Sequence, residues 1–295
     1  MKTEYNNITV GREHNRAVSP SSFLEQKSIV QRDHALVSPS SLKRITACTK
    51  SLKINEDYRL EHGDESTPAA LEGTKAHAVA ENLVNDLFNL PLQEDSVKEA
   101  EDADEAMIAC GKAYRDFVSK LFQGGKYLAI RTERKVDMRQ YISECWGTCD
   151  CFMVSSHELT VVDYKYGKAL VDAKNNSQLK AYALGAYLAL PERLKPYIKK
   201  VSFFIFQPRA SMDYSSGYPR KLETVGSISR DEMKVADLLA WANEVNKSVN
   251  LAIKNEGEYK TGEHCAFCAG KGTCPLTKQI ESDGIDKLLM EMHFI

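Results

Sequence analysis

Between Cys145 and Tyr166 the chain carries two consecutive runs suited to β-strands, and each holds an aspartate where a strand would ordinarily bury an apolar group. Gly147-Thr148-Cys149-Asp150 lies in the first run, Cys145 to Val154. Asp163-Tyr164-Lys165 closes the second, Glu158 to Tyr166. His157 and the serines before it form the expected turn. Side chains alternate between the faces of a strand. On that rule Trp146, Thr148 and Asp150 share one face and Cys145, Cys149 and Cys151 the other. In the second run Val161, Asp163 and Lys165 share a face. Pairing as a hairpin brings Asp150 and Asp163 together and leaves Lys165 one pleat further along.

The residue types suit phosphodiester hydrolysis. A hard divalent cation takes oxygen ligands, commonly one or two carboxylates with water and phosphate oxygens. It polarises a phosphoryl oxygen and makes bound water more nucleophilic. A neighbouring lysine orients that water and offsets developing charge. Aspartate on an apolar strand is otherwise poorly placed, because a buried charge is costly without a partner. Gln178-Leu179-Lys180-Ala181-Tyr182 follows, a Q-x-x-x-Y pattern on a predicted helix ending near Leu190, before Pro191.

Taken together, Asp150, Asp163-Tyr164-Lys165 and Gln178-x-x-x-Tyr182 resemble the motifs of the PD-(D/E)XK nuclease superfamily, in its RecB-like branch. Aspartate stands here where the third motif often has glutamate. The resemblance implies that Asp150, Asp163 and the Tyr164 backbone carbonyl bind Mg²⁺ or Mn²⁺. It implies that Lys165 positions the attacking water and that Gln178 and Tyr182 steer the nucleic-acid backbone. An upstream helix in this branch often supplies a histidine, and His77 matches it by order. His77 lies in Leu71-Glu-Gly-Thr-Lys-Ala-His77, with Val79, Ala80, Leu83, Val84, Leu87 and Phe88 as an apolar stripe. It is implied to be a metal ligand or a neighbour of one, and Glu81, one turn later, could assist. The implied fold is α/β: a restriction-endonuclease-like core, a mixed sheet flanked by helices, with added N- and C-terminal helices tied by a cysteine cluster.

Eight cysteines give the second signal. The chain opens without an apolar signal segment, and no run approaches membrane-span length, so a cytoplasmic setting without disulfides is expected. Cys265-Ala-Phe-Cys268 is followed by Cys274-Pro275. A C-x-x-C with a third nearby cysteine reads as thiolate ligation of zinc or of an iron–sulfur cluster. Cys48, far upstream, is the best candidate for the fourth ligand. One cysteine before the core and three after it are similar to the arrangement of AddB-type and CRISPR-associated RecB-like nucleases. That resemblance implies a [4Fe–4S] cluster on Cys48, Cys265, Cys268 and Cys274, with structural Zn²⁺ as the alternative. Cys110, Cys145, Cys149 and Cys151 read as small buried hydrophobes.

A net charge of −2 gives no global nucleic-acid signature. Basic residues cluster at Lys126, Arg131, Arg134, Lys135 and Arg139, at Lys195, Lys199 and Lys200, and at Arg209, Arg220 and Lys221. Such fields can guide a phosphate backbone, although each cluster by itself reads as solvated surface. Residues 1–34 read as an N-terminal arm, and 35–295 as one RecB-like nuclease domain whose cysteine loop spans about 260–280. Helices are expected over Pro39–Leu52 (carrying Cys48), about Ser96–Phe122 with Gly124-Gly125 as its stop, and about Arg230–Lys254. Strands are expected near Lys126–Met138 and at Val201–Phe206.

From His34-Ala35-Leu36-Val37-Ser38 onward the chain is also similar to uncharacterised RecB-like proteins of phages and prophages. The expected function is a metal-dependent deoxyribonuclease, an exonuclease on linear or single-stranded DNA ends in phage recombination, replication or processing. The alternative is a catalytically silent DNA-binding or assembly module of the same fold. No helicase P-loop of the form G-x-x-x-x-G-K-[ST] is present, so unwinding would fall to a helicase or recombination partner. No membrane partner is expected.

Overall fold

Apolar strands with helical crossovers set the architecture. The computed structural model describes residues 35–63, 67–124, 127–213 and 220–280. A five-stranded mixed sheet contains β1 (Ala129–Asp137), β2 (Trp146–Val154), β3 (Glu158–Tyr164), β4 (Lys200–Gln207) and β7 (Ser227–Lys234), in the order β1-β2-β3-β4-β7. Strands β1, β2 and β3 pair antiparallel. Strand β4 lies parallel to β3 and antiparallel to β7. A parallel neighbour needs a long crossover, which the chain makes through α6 (Ser177–Leu188). A two-stranded ribbon, β5 (Met212–Asp213) with β6 (Arg220–Lys221), stands apart.

Helices cover both faces, as expected for an α/β fold. On one face α1 (Leu42–Ala47), α6 and α7 (Val235–Ile253) bury Leu42, Ile45, Leu179, Leu184, Leu238 and Val249 against Phe152, Val161 and Phe203. On the other, α3 (Pro68–Leu87) and α5 (Glu105–Gly124) bury Val79, Val84, Tyr114 and Val118 against Met153, Val162, Tyr164 and Phe206. Helices α3 and α6 start on side-chain caps that satisfy open N–H groups. Thr67 accepts from the Ala70 amide, and Asn176 accepts from the amides of Gln178 and Leu179. Helix α6 sits so close to the sheet that a Cβ on Gly185 would stand 2.7 Å from Val136 Cβ and 2.5 Å from Met138 Sδ. Gly185→Val should therefore cost about 2–3 kcal/mol, read as a lower urea midpoint at unchanged slope.

The elements differ from the sequence expectation in three places. The helix expected over Pro39–Leu52 is a 3₁₀ turn at Pro39–Ser41, then α1, then α2 (Ser51–His62), with a break at Cys48. There Cys48 is extended (φ −140°, ψ 98°) and its sulfur accepts from the Lys260 amide. The acidic helix divides into α4 (Glu94–Glu99), which ends at Ala100, and α5, which Asp104 caps, its Oδ1 accepting from the Met107 amide at 2.7 Å. The first residues of the expected Arg230 helix belong to β7, where Ser227 to Lys234 alternate half-buried and exposed along a sheet edge. The 1–34 arm, Lys126, Gly125 and the last fifteen residues lie outside the described residues.

Candidate metal centre and cysteine pocket

Strands β1 and β2 keep one register throughout, yet their side-chain alternation reverses at one point. Thr132 pairs with Cys151 and Arg134 with Cys149, and the intervening Glu133 and Asp150 do not join the ladder. Ile130 and Val136, both even-numbered, enter opposite cores, and so do the odd-numbered Cys149 and Cys151. The shared face expected for Cys145, Cys149 and Cys151 is thus corrected: Cys145 and Cys149 pack towards α6, and Cys151 towards α3 and α5. Glu133 has φ 39°, a left-handed conformation that costs a non-glycine residue on the order of 1–3 kcal/mol and is found preferentially at functional sites. The reversal takes both carboxylates out of the regular pleat.

Helix α3 brings His77 to this point. Its Nδ1 lies 3.4 Å from Asp150 Oδ2 and 3.7 Å from Glu133 Oε1. One ligand atom from each of His77, Glu133 and Asp150 falls within 4.8 Å of the other two, the one such group of three among the described residues. Burial works against charge on His77, but Asp150 and Glu133 outweigh it and hold its pKa at about 9. Burial is likewise the main force raising Asp150 above the ordinary carboxylate range, with Glu133 adding to it and His77 and Lys165 opposing. Clustered acidic groups around one imidazole form a donor set that hard divalent cations accept.

Asp163 stands just beyond this group. The hairpin brings Asp150 beside it, and Asp150 Oδ2 accepts the Tyr164 amide at 2.8 Å. Asp163 is 1% exposed. Both its oxygens face the Lys165 ammonium, Oδ2 at 2.9 Å and Oδ1 at 3.2 Å. Burial raises its pKa to about 6, with Lys165 opposing and Asp150 assisting the shift. A buried carboxylate offset by a single lysine, next to two further acids, fits a cation-binding role. Lys165 Nζ also donates to Gln178 Oε1 at 3.1 Å, and Gln178 Nε2 donates to the Tyr182 hydroxyl at 3.3 Å. The expected residues Asp150, Asp163, Lys165, Gln178, Tyr182 and His77 therefore meet in one place. Glu81 does not join them, since its carboxylate accepts from Asn85 Nδ2 instead. Glu133 is the residue that sequence reasoning missed.

The four cysteines expected to act together line one small pocket: Cys48, Cys265, Cys268 and Cys274, beside Ser51, Ile54 and His264. Two 3₁₀ turns, Glu263–Phe267 and Ala269–Thr273, fold the loop around it. A Cβ on Gly270 would stand 2.7 Å from the Ile54 carbonyl oxygen, so only glycine lets the loop lie against α2. Asn55 ties the two sides together: its Nδ2 donates to Cys268 Sγ at 3.1 Å and its Oδ1 accepts from the Ala269 amide at 3.0 Å. Among the described residues no three of these sulfurs lie within 4.8 Å of one another, whereas a tetrahedral zinc site would hold them about 3.8 Å apart.

Among the described residues no helix is long and apolar enough to cross a membrane. A family model described as "Protein of unknown function (DUF2800)" matches residues 34–288. A solved structure titled "Crystal structure of SSO0001" is 10% identical, with 76% of this chain and 95% of that one covered, at a TM-score of 0.28. So slight a likeness adds nothing to the reading of fold or site.

Proposed function

The chain belongs to the DUF2800 family, whose description assigns no function, and we propose from its own residues that it is a metal-dependent deoxyribonuclease. The observation that carries this reading is the meeting of His77, Glu133 and Asp150 with the buried Asp163–Lys165 pair. His77, Glu133, Asp150, Asp163 and the Tyr164 backbone carbonyl are the groups that would hold Mg²⁺ or Mn²⁺. When bound, such an ion polarises a phosphoryl oxygen and lowers the pKa of water. Lys165 shares its ammonium between Asp163 and Gln178, which aims its remaining donor capacity at the attacking water and the scissile phosphate. Gln178, held by Tyr182, positions the strand backbone. Burial lowers the Lys165 pKa, but Asp163 and Asp150 more than restore it, which suits an electrostatic and orienting role.

In the same reading the four cysteines hold a [4Fe–4S] cluster that fastens the 260–280 loop to α1 and α2. The preferred mode is exonucleolytic, on linear or single-stranded DNA ends in phage recombination, replication or processing, with a helicase or recombination protein as partner. Support for mode and pathway comes from the RecB-like resemblance.

End-labelled linear single- and double-stranded DNA, incubated with Mn²⁺ or Mg²⁺, tests the proposal. Wild-type protein should cut, Asp163→Ala should not, EDTA should stop the reaction, and the label pattern gives polarity. Silence of the cluster-loaded wild type on every substrate would instead favour a DNA-binding or assembly module. Glu133→Gln should bind Mn²⁺ at least about tenfold more weakly, measured by calorimetric titration. Undiminished affinity would remove Glu133 from the ligand set.

A further inference from the structure

A cleft of about 590 Å³ opens between α1–α2 and the Trp146 end of β2. Tyr182, which holds Gln178, lies in its wall at one end. Asn55, bonded to Cys268, lies in its wall at the other. Its charged lining is Arg44, Arg59 and Lys135 against a single acid, Glu56. In a chain of net charge −2 that is a local excess of positive charge. Trp146, one of two tryptophans in the chain, is half-buried in the same wall.

We infer that this cleft binds a single nucleic-acid strand, its phosphates meeting Arg44, Arg59 and Lys135 and a base stacking on Trp146. The inference rests on the deoxyribonuclease reading for the identity of the ligand, and it adds where that ligand runs and in what form. Cations flanking an aromatic ring are the combination with which proteins hold single strands, because unpaired bases offer a free face for stacking. A duplex keeps its bases stacked inside and would meet only the cations. The strand's path ends at Tyr182 and Gln178, the residues next to Lys165. Arg44 also fixes the cleft wall from within, its guanidinium donating to the Ser51 carbonyl at 2.8 Å at the foot of α2. Through Asn55, which bonds to Cys268 and Ala269, this wall of the cleft is tied to the cysteine loop. Loss of the cysteine centre should therefore weaken strand binding as well as fold stability.

The test is fluorescence anisotropy of a labelled single-stranded oligothymidylate with the full-length, cysteine-loaded protein in EDTA, where no turnover occurs. Arg59→Ala/Lys135→Ala should bind at least about tenfold more weakly, and the slope of log affinity against log salt should fall by about 1.4 for two lost phosphate contacts on a single strand. Trp146→Ala should lose about tenfold, and Trp146→Phe should recover most of it, since a ring is what stacks. Lys98→Ala/Lys247→Ala removes the same charge away from the cleft and should bind as wild type. Wild-type affinity and salt slope in the cleft double variant would overturn the inference. So would duplex bound more tightly than the single strand with equal sensitivity to Trp146. Because binding is read without catalysis, cleft-dependent binding by a protein that never cuts would leave this inference standing and sink the nuclease reading.

Discussion

Asp163→Asn protein should keep its fold and lose DNA cleavage by about a thousandfold or more. The size follows from what the carboxylate supplies: metal-assisted charge stabilisation is worth several kcal/mol, and each 1.36 kcal/mol is a factor of ten in rate. The fold should survive because the asparagine is nearly isosteric, and its Oδ1 can still accept from Lys165, whose other acceptor, Gln178, is unchanged. Stability should even favour the variant without metal. Burial lifts the Asp163 pKa from 3.8 to about 6, so the folded wild type binds this proton more tightly than the unfolded chain does. Its stability therefore falls as pH rises through that window, and asparagine has no such loss. Thermal unfolding at pH 7 with and without Mn²⁺ reads both effects. At a concentration a hundred times its Kd the ion should stabilise wild type by about 2.7 kcal/mol and the variant by far less. Cleavage at wild-type rate by the variant would rule out Asp163 as a metal-binding carboxylate.

Cys48→Ser should empty the cysteine centre. Anaerobically purified wild type should be brown with about four irons per chain, and the variant nearly colourless. Cys48 and Cys265 are 217 residues apart, so a centre joining them closes most of the chain into one loop. By the loop-closure expression for a cross-link, that constraint is worth about 5 kcal/mol. The contacts left behind are mainly hydrogen bonds, among them Lys50 to Asn255, Thr49 to Glu258 and Asn55 to the loop, with Gly270 packed on Ile54. The variant should unfold at a markedly lower temperature, and limited proteolysis should cut first in the 255–280 region. Colourless wild type carrying one zinc would replace the cluster with a structural zinc. A variant with unchanged iron content would remove Cys48 from the ligand set.

Much of the candidate site was legible because its signals are local. Asp150, Asp163 and Lys165 sit on strands whose apolar neighbours make a charge conspicuous, and Gln178 and Tyr182 share a face at helical spacing. Glu133 was not legible. It lies within Arg131-Thr-Glu-Arg-Lys135, where charges crowd out the period-two signal, and its left-handed backbone can be seen only in three dimensions. The same reversal misled the assignment of Cys149 and Cys151, since strict alternation cannot foresee an inversion within a regular register. Strand β7 was hidden because an exposed edge strand carries charges that suit a helix as well. The break at Cys48 was missed because its causes, the Lys260 amide and Glu258, lie more than two hundred residues away.

The order in which the chain supplies its parts has a consequence for synthesis. Asp163, Lys165, Gln178 and Tyr182 arrive within twenty residues of one another, but His77 and Glu133 must already have been made, and β4, which pairs alongside Asp163, follows only at Lys200. The cysteine pocket waits longer still, for Cys274. A growing or truncated chain thus holds the carboxylates before it holds the walls that place them. A chain that stops before Cys274 lacks the last of the four cysteines that line the pocket between α2 and the 260–280 loop.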